Sequence, residues 1–106
     1  MPRIEIGSPI DSETLRAELP ASIEIDDKGL KYYEFDATGF SLFVLVLAWA
    51  ASIPANIIAS AIYDAIKRRS KETPKRIIID DTHVEFDREK ITRIIQRRVE
   101  VEEEPT

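Results

Sequence analysis

Residues 37–63 read ATGFSLFVLVLAWAASIPANIIASAIY, 27 residues without a charged side chain, and the way this run folds decides the architecture. It is far longer than one ordinary strand of about 5–6 residues. Its second half has a helical period: Ile53, Ile57, Ile58, Ala61, Ile62, Ala65 and Ile66 recur at ~100° per residue. Asn56, Ser60, Asp64 and Lys67 occupy the opposite side. The first half, Phe40 to Ala50, is apolar all round, and on a helix it would need covering on every side. Pro54 removes a backbone donor and clashes with the preceding turn. The run therefore predicts a long helix with a kink or break near Ala50, or two helices joined near Ser52 to Pro54. Leu45, Trp49, Ile53, Ile57, Ile62 and Ile66 are its expected buried residues.

The flanks are short, charged and rich in turns. Arg3 to Ile6 reads as a strand closed by Gly7. Asp11 then caps a helix whose Ile10 and Leu15 form a hydrophobic staple and which stops at Leu19 before Pro20. Ile23 to Asp26 and Leu30 to Phe35 read as a hairpin around Asp27-Lys28-Gly29, with Gly at the left-handed position. Lys67, Arg68, Arg69 and Lys71 end the long helix where cations suit its dipole. Arg76 to Ile79 and Thr82 to Phe86 form a second hairpin around Asp80-Asp81. Asp87 caps a last helix with the stripe Ile91, Ile94, Ile95 and Val99. The order β, α, β, β, long α, β, β, α predicts an α+β two-layer sandwich: short antiparallel hairpins packed on one long apolar central helix plus two shorter helices. Residues 1–99 form the single domain and 100–106 an acidic tail.

A chain of 106 residues with 43% hydrophobic and 33% charged residues can bury one modest core. It has no cysteine, which excludes disulfides and thiolate metal sites. A net charge of −5 argues against nucleic acid as a partner. MPRIEIGSPID has no secretory-signal pattern, so the expected location is the cytoplasm.

The sequence carries no enzyme signature. The lone histidine, His83, shares one side of an extended strand with Asp81, Glu85 and Asp87, the pattern of a strand face turned to water rather than of a metal site. Ser41, Ser52 and Ser60 lack the strained turn of a nucleophilic serine, and Gly7, Gly29 and Gly39 are too scattered for a phosphate loop. The basic residues of Lys67 to Arg76, and Arg88, Lys90, Arg93, Arg97 and Arg98, read as solvated helix faces. Tyr32, Tyr33 and Phe35 read as ordinary strand residues without a binding role. No catalytic residue, metal ligand or cofactor is assigned.

The segments RIEI (3–6), DSETLRAEL (11–19), YDAIKRR (63–69) and KRIIIDDTHVEFD (75–87), arranged around a long apolar run, resemble the small effector-associated constant component domains of bacterial conflict systems and related uncharacterised proteins. The resemblance implies an accessory or adaptor module of a defence system, with no catalytic residues to carry over. The hairpin at Asp27-Lys28-Gly29 and the apolarity of Phe40 to Ala50 depart from it.

On a helix, consecutive apolar residues point in every direction, so one sheet cannot cover them all. Phe40, Phe43, Val44, Val46 and Leu47 are therefore the expected contact residues of a homo-oligomer or protein partner. The alternative is a single-pass or membrane-attached protein. Phe40 to Ile62 gives 23 uncharged residues, against about 20 for a span, with the basic C-terminal part in the cytoplasm and the span in the inner membrane. The amphipathic register from Ile53 to Ile66 favours the non-enzymatic association module.

Overall fold

The computed structural model describes residues 1–35 and 38–103. The chain runs β1 (Arg3–Ser8), α1 (Ser12–Glu18), β2 (Glu24–Phe35), β3 (Thr38–Ala48), α2 (Ala55–Arg69), β4 (Arg76–Ile79), β5 (Thr82–Glu85) and α3 (Arg88–Glu103). It is an α+β fold with one antiparallel five-stranded sheet, ordered β2-β3-β1-β4-β5, and three helices. The expected order of elements is met, but two strands are built from other residues than expected.

The 37–63 run is not one helix. Its first half is β3, which pairs with β1 on one side (Ile4 with Leu47, Ile6 with Leu45) and with β2 on the other. β3 has buried side chains on both of its faces and so reads as a continuous apolar run, which periodicity alone does not separate from a buried helix. Leu45 and Leu47 point into the main core, and Leu42 and Val44 are buried on the opposite face. A turn closed by the Ile53 amide on the Ala50 carbonyl (2.9 Å) follows. Pro54 then stands at the N-cap of α2, where its fixed φ and missing donor cost nothing. It starts a helix rather than kinking one. The 23 residues from Phe40 to Ile62 are thus split between strand, turn and helix. Among the described residues no helix is long and apolar enough to cross a membrane.

Asp27-Lys28-Gly29 is likewise not a hairpin turn. It is a bulge inside the 12-residue β2: the register shifts between Asp27 and Leu30, and Gly29 takes φ +92°. The Gly29 amide donates to Asp27 Oδ1 at 2.8 Å. A lone glycine in an alternating segment serves a bulge as readily as a turn.

The other elements follow their local signals. Asp11 Oδ1 accepts from the Thr14 amide at 2.7 Å; hydrogen bonding from the Thr14 side chain first, and from this amide second, holds its carboxyl below the usual range, and Ile10 and Leu15 are both buried. Asp80 and Asp81 both take positive φ, the two-residue turn that matches strand twist. Asp87 Oδ1 caps α3 through the Lys90 amide. β1 runs on to Ser8, past Gly7, and α3 runs to Glu103, past the domain limit expected at 99. The last three residues of the expected tail, and Ala37 of the expected helix, lie outside the described residues.

One core cluster joins Ile4, Ile6, Leu45, Leu47, Ile77, Ile79 and Val84 of the sheet to Leu15, Ile58, Ile62, Ile66, Ile91 and Ile95 of the helices. Trp49, the only tryptophan, is fully buried in it. Ile57 is not: the residue is 47% exposed. The buried set of α2 is Ile58, Ala59, Ile62, Ala65 and Ile66, a stripe centred well round the helix from Ile57. Outside the core, Arg69 Nε (2.5 Å) and Arg68 Nη1 (2.7 Å) both donate to the Glu18 carboxylate, tying α1 to α2. The Arg69 hydrogen bond leads the causes that hold this carboxyl below its usual range.

Candidate interaction surface

Alternation divides the sheet residues between two faces. Leu42, Val44 and Val46 of β3 point away from the core cluster, as does Ile78 of β4. Gly7 lies between them: a Cβ built there would stand 3.1 Å from Leu42 Cδ1 and 3.2 Å from Ile78 Cβ. The two side chains thus close over the bare Gly7 backbone, which explains their burial on this second face. Lys31 Nζ reaches Asp81 Oδ1 at 3.6 Å. Because β3 and β1 stand between β2 and β4, this pair requires the sheet to coil until β2 approaches the β4–β5 turn.

β1 ends at Ser8, opposite Phe43, and Phe43 pairs on its other side with Leu30. Beyond that point β2 and β3 have only each other as strand neighbours, so residues 30–35 and 38–42 form a two-stranded arm. Tyr33 stacks on Phe40 with centroids 6.1 Å apart, and Lys31 Nζ lies 5.2 Å over the Tyr33 ring. Burial is the first cause that raises the Tyr33 hydroxyl above its ordinary pKa. On the arm's other face, Tyr32 lies across Gly39: a Cβ at Gly39 would fall 1.6 Å from the Tyr32 hydroxyl oxygen. The ring is held by a glycine on the next strand, yet Tyr32 is 63% exposed and Leu30, two residues earlier on the same face, is 66% exposed.

β2 is also an edge of the sheet. Its inner half is screened by α1: Arg16 Nη2 donates to the Ile25 carbonyl (3.2 Å) and Ser12 Oγ to Asp27 Oδ2 (3.0 Å). The bulge interrupts it next. Among the described residues, the outer half from Leu30 to Glu34 has neither device.

The expected contact residues are dispersed. Phe40 is half-buried in the arm against Tyr33, and Phe43 packs partly against the core. Val44 is buried and Val46 half-buried on the face opposite the core, whereas Leu47 is fully buried inside it and is out of a partner's reach. The exposed pair Leu30 and Tyr32 was assigned no role from sequence. Its signal was apolar alternation in a segment that no neighbouring segment is left to cover.

His83 is exposed on β5, and among the described residues no group of three or more His, Asp or Glu could hold a metal ion. Glu85 and Lys90 form a surface ion pair, with hydrogen bonding to Glu85 as the leading cause that raises the Lys90 ammonium pKa. A cleft of about 470 Å³ lined by Arg3, Glu5, Asp26, Lys28, Asp80 and Arg98 among others carries charges of both signs. Lys28 pairs there with Asp26 (2.8 Å), and Asp80 accepts from the Glu5 amide (3.0 Å) and faces Arg98 (3.4 Å). No family model matches the chain, and neither a curated protein nor a solved structure matches it.

Proposed function

We propose that this protein is a non-enzymatic association module that pairs with a second copy of itself through the outer half of β2. In this reading the domain is a two-layer sandwich whose helices cover one sheet face, while the arm serves assembly. The resemblance of its segments to conflict-system components supports a role as an accessory or adaptor part of a bacterial defence system.

The observation that carries the proposal is the exposure of Leu30 and Tyr32 together on an overhanging, unscreened edge. A two-stranded ribbon is marginal in water. An open edge offers a row of backbone donors and acceptors to another strand. An aromatic side chain already fixed in place loses little entropy on being covered, which is the character of a binding hot spot.

Light scattering without detergent tests this. The parent is expected at twice its 12.1 kDa chain mass. Leu30→Glu and Tyr32→Glu are each expected to weaken the dimer by about 2 kcal/mol, the scale of a hot spot. Emission from buried Trp49 should stay that of the folded chain in both variants. A parent that remains a monomer at high protein concentration refutes the proposal.

A further inference from the structure

We infer that the second copy binds antiparallel to β2 with Tyr32 facing Tyr32 of the second copy across a two-fold axis, giving one continuous ten-stranded sheet. This rests on the association proposed above and specifies its geometry.

Symmetry and charge leave little choice. Directly opposed residues of antiparallel strands point to the same face, and a two-fold axis relating two sheet edges preserves the faces. A residue can therefore face only residues an even number of positions away, so Lys31 cannot face Glu34 of the second copy, although their charges would suit. An axis at Lys31 would oppose two ammonium groups, which is unfavourable. One at Leu30 or earlier would run the incoming strand onto the bulge, where Gly29 at φ +92° breaks the edge. With the axis at Tyr33, Tyr32 would lie opposite Glu34 of the second copy, and the two exposed Tyr32 rings would not meet.

An axis at Tyr32 pairs residues 30–34 of the two copies with one another, and only Phe35 of the incoming strand comes level with Gly29. It brings the two Tyr32 rings and the two Leu30 side chains onto one face, so the most exposed apolar groups of the arm share one patch. It places Lys31 opposite Tyr33 of the second copy. The ammonium already lies 5.2 Å over its own Tyr33 ring, and a second ring adds a further cation–π partner. Leu30 faces Glu34 of the second copy, whose carboxylate is exposed and stays in water.

The chain has no cysteine, so single-cysteine variants report on the register without background. Five full-length variants, Leu30→Cys, Lys31→Cys, Tyr32→Cys, Tyr33→Cys and Glu34→Cys, are oxidised under native conditions and resolved by mass without reductant. Tyr32→Cys is expected to cross-link fastest of the five. An equimolar mixture of Leu30→Cys and Glu34→Cys is expected to cross-link several-fold more than either alone, and this keeps the test valid if Tyr32→Cys weakens the dimer. Fastest cross-linking of Lys31→Cys or Tyr33→Cys overturns the register. A parent that is dimeric by light scattering but gives no cross-link at Tyr32 or in the mixture overturns it too and leaves association standing, whereas a monomeric parent removes both.

Discussion

Replacing Leu45 with Asp is expected to abolish cooperative folding, whereas the same change at Ile57 is expected to leave the thermal midpoint within a few degrees of the parent. Leu45 is fully buried between Ile6 of β1 and Asp27 of β2 in the middle of the sheet, and it belongs to the core cluster. An unpaired carboxylate there loses its hydration without gaining a partner, at a cost of several kcal/mol even when the group protonates. A domain of ordinary stability has about 5–15 kcal/mol in all. Ile57 is 47% exposed in the first turn of α2, where a carboxylate stays solvated and sits favourably near the positive end of the helix dipole. The helix expected from sequence buried both residues, so the contrast separates the two folds. Thermal melts followed by Trp49 emission provide the measurement.

The second large effect is expected at Gly7. A Cβ at this position presses on Leu42 Cδ1 (3.1 Å) and on the Ile78 Cβ (3.2 Å), and the latter cannot swing away without moving β4. Gly7→Val adds two further carbons and is expected to cost about 1–3 kcal/mol, as overpacking of a filled site does. In a domain of this size each kcal/mol is worth about 4–8 °C in the midpoint. Combining Gly7→Ala with Leu42→Ala should cost less than the sum of the two single changes, because removing the Leu42 side chain vacates the space the new methyl needs. Strict additivity, or a Gly7→Val variant that melts with the parent, would show that the second face is not packed over the Gly7 backbone.

Where a local group sets the local structure, the sequence was sufficient to read it. Asp11 and Asp87 cap their helices, Asp80-Asp81 turns the β4–β5 hairpin, and Ile91 and Ile95 bury the stripe of α3. The reading failed where the deciding fact is a distant neighbour. Leu42 to Leu47 is apolar on both faces, with Leu45 and Leu47 buried in the core and Leu42 and Val44 buried on the other face, and nothing within the segment distinguishes that from a helix covered all round. Once those residues became a strand, the segment 24–35 had to lie alongside it as one long partner, and Gly29 became a bulge. The predicted string of elements was met although β2 and β3 differ in residues from the predicted pair. The expected contact residues were chosen on that same helix. Phe43 and Leu47 point toward the core side because of strand alternation, and the exposed apolar pair moved to Leu30 and Tyr32.

The arm, the open edge of β2 and the packing over Gly7 all depend on residues 38–48 forming a central strand. Nuclear Overhauser contacts in an isotope-labelled sample test this most directly. The predicted result is a set of cross-strand backbone contacts between β1 and β3 in the register from Arg3 with Ala48 to Ser8 with Phe43, together with contacts from β3 to β2 on its other side. An unbroken series of strong sequential amide–amide contacts from Phe40 to Ala50, with no backbone contact to Ile4 or Ile6, would contradict it.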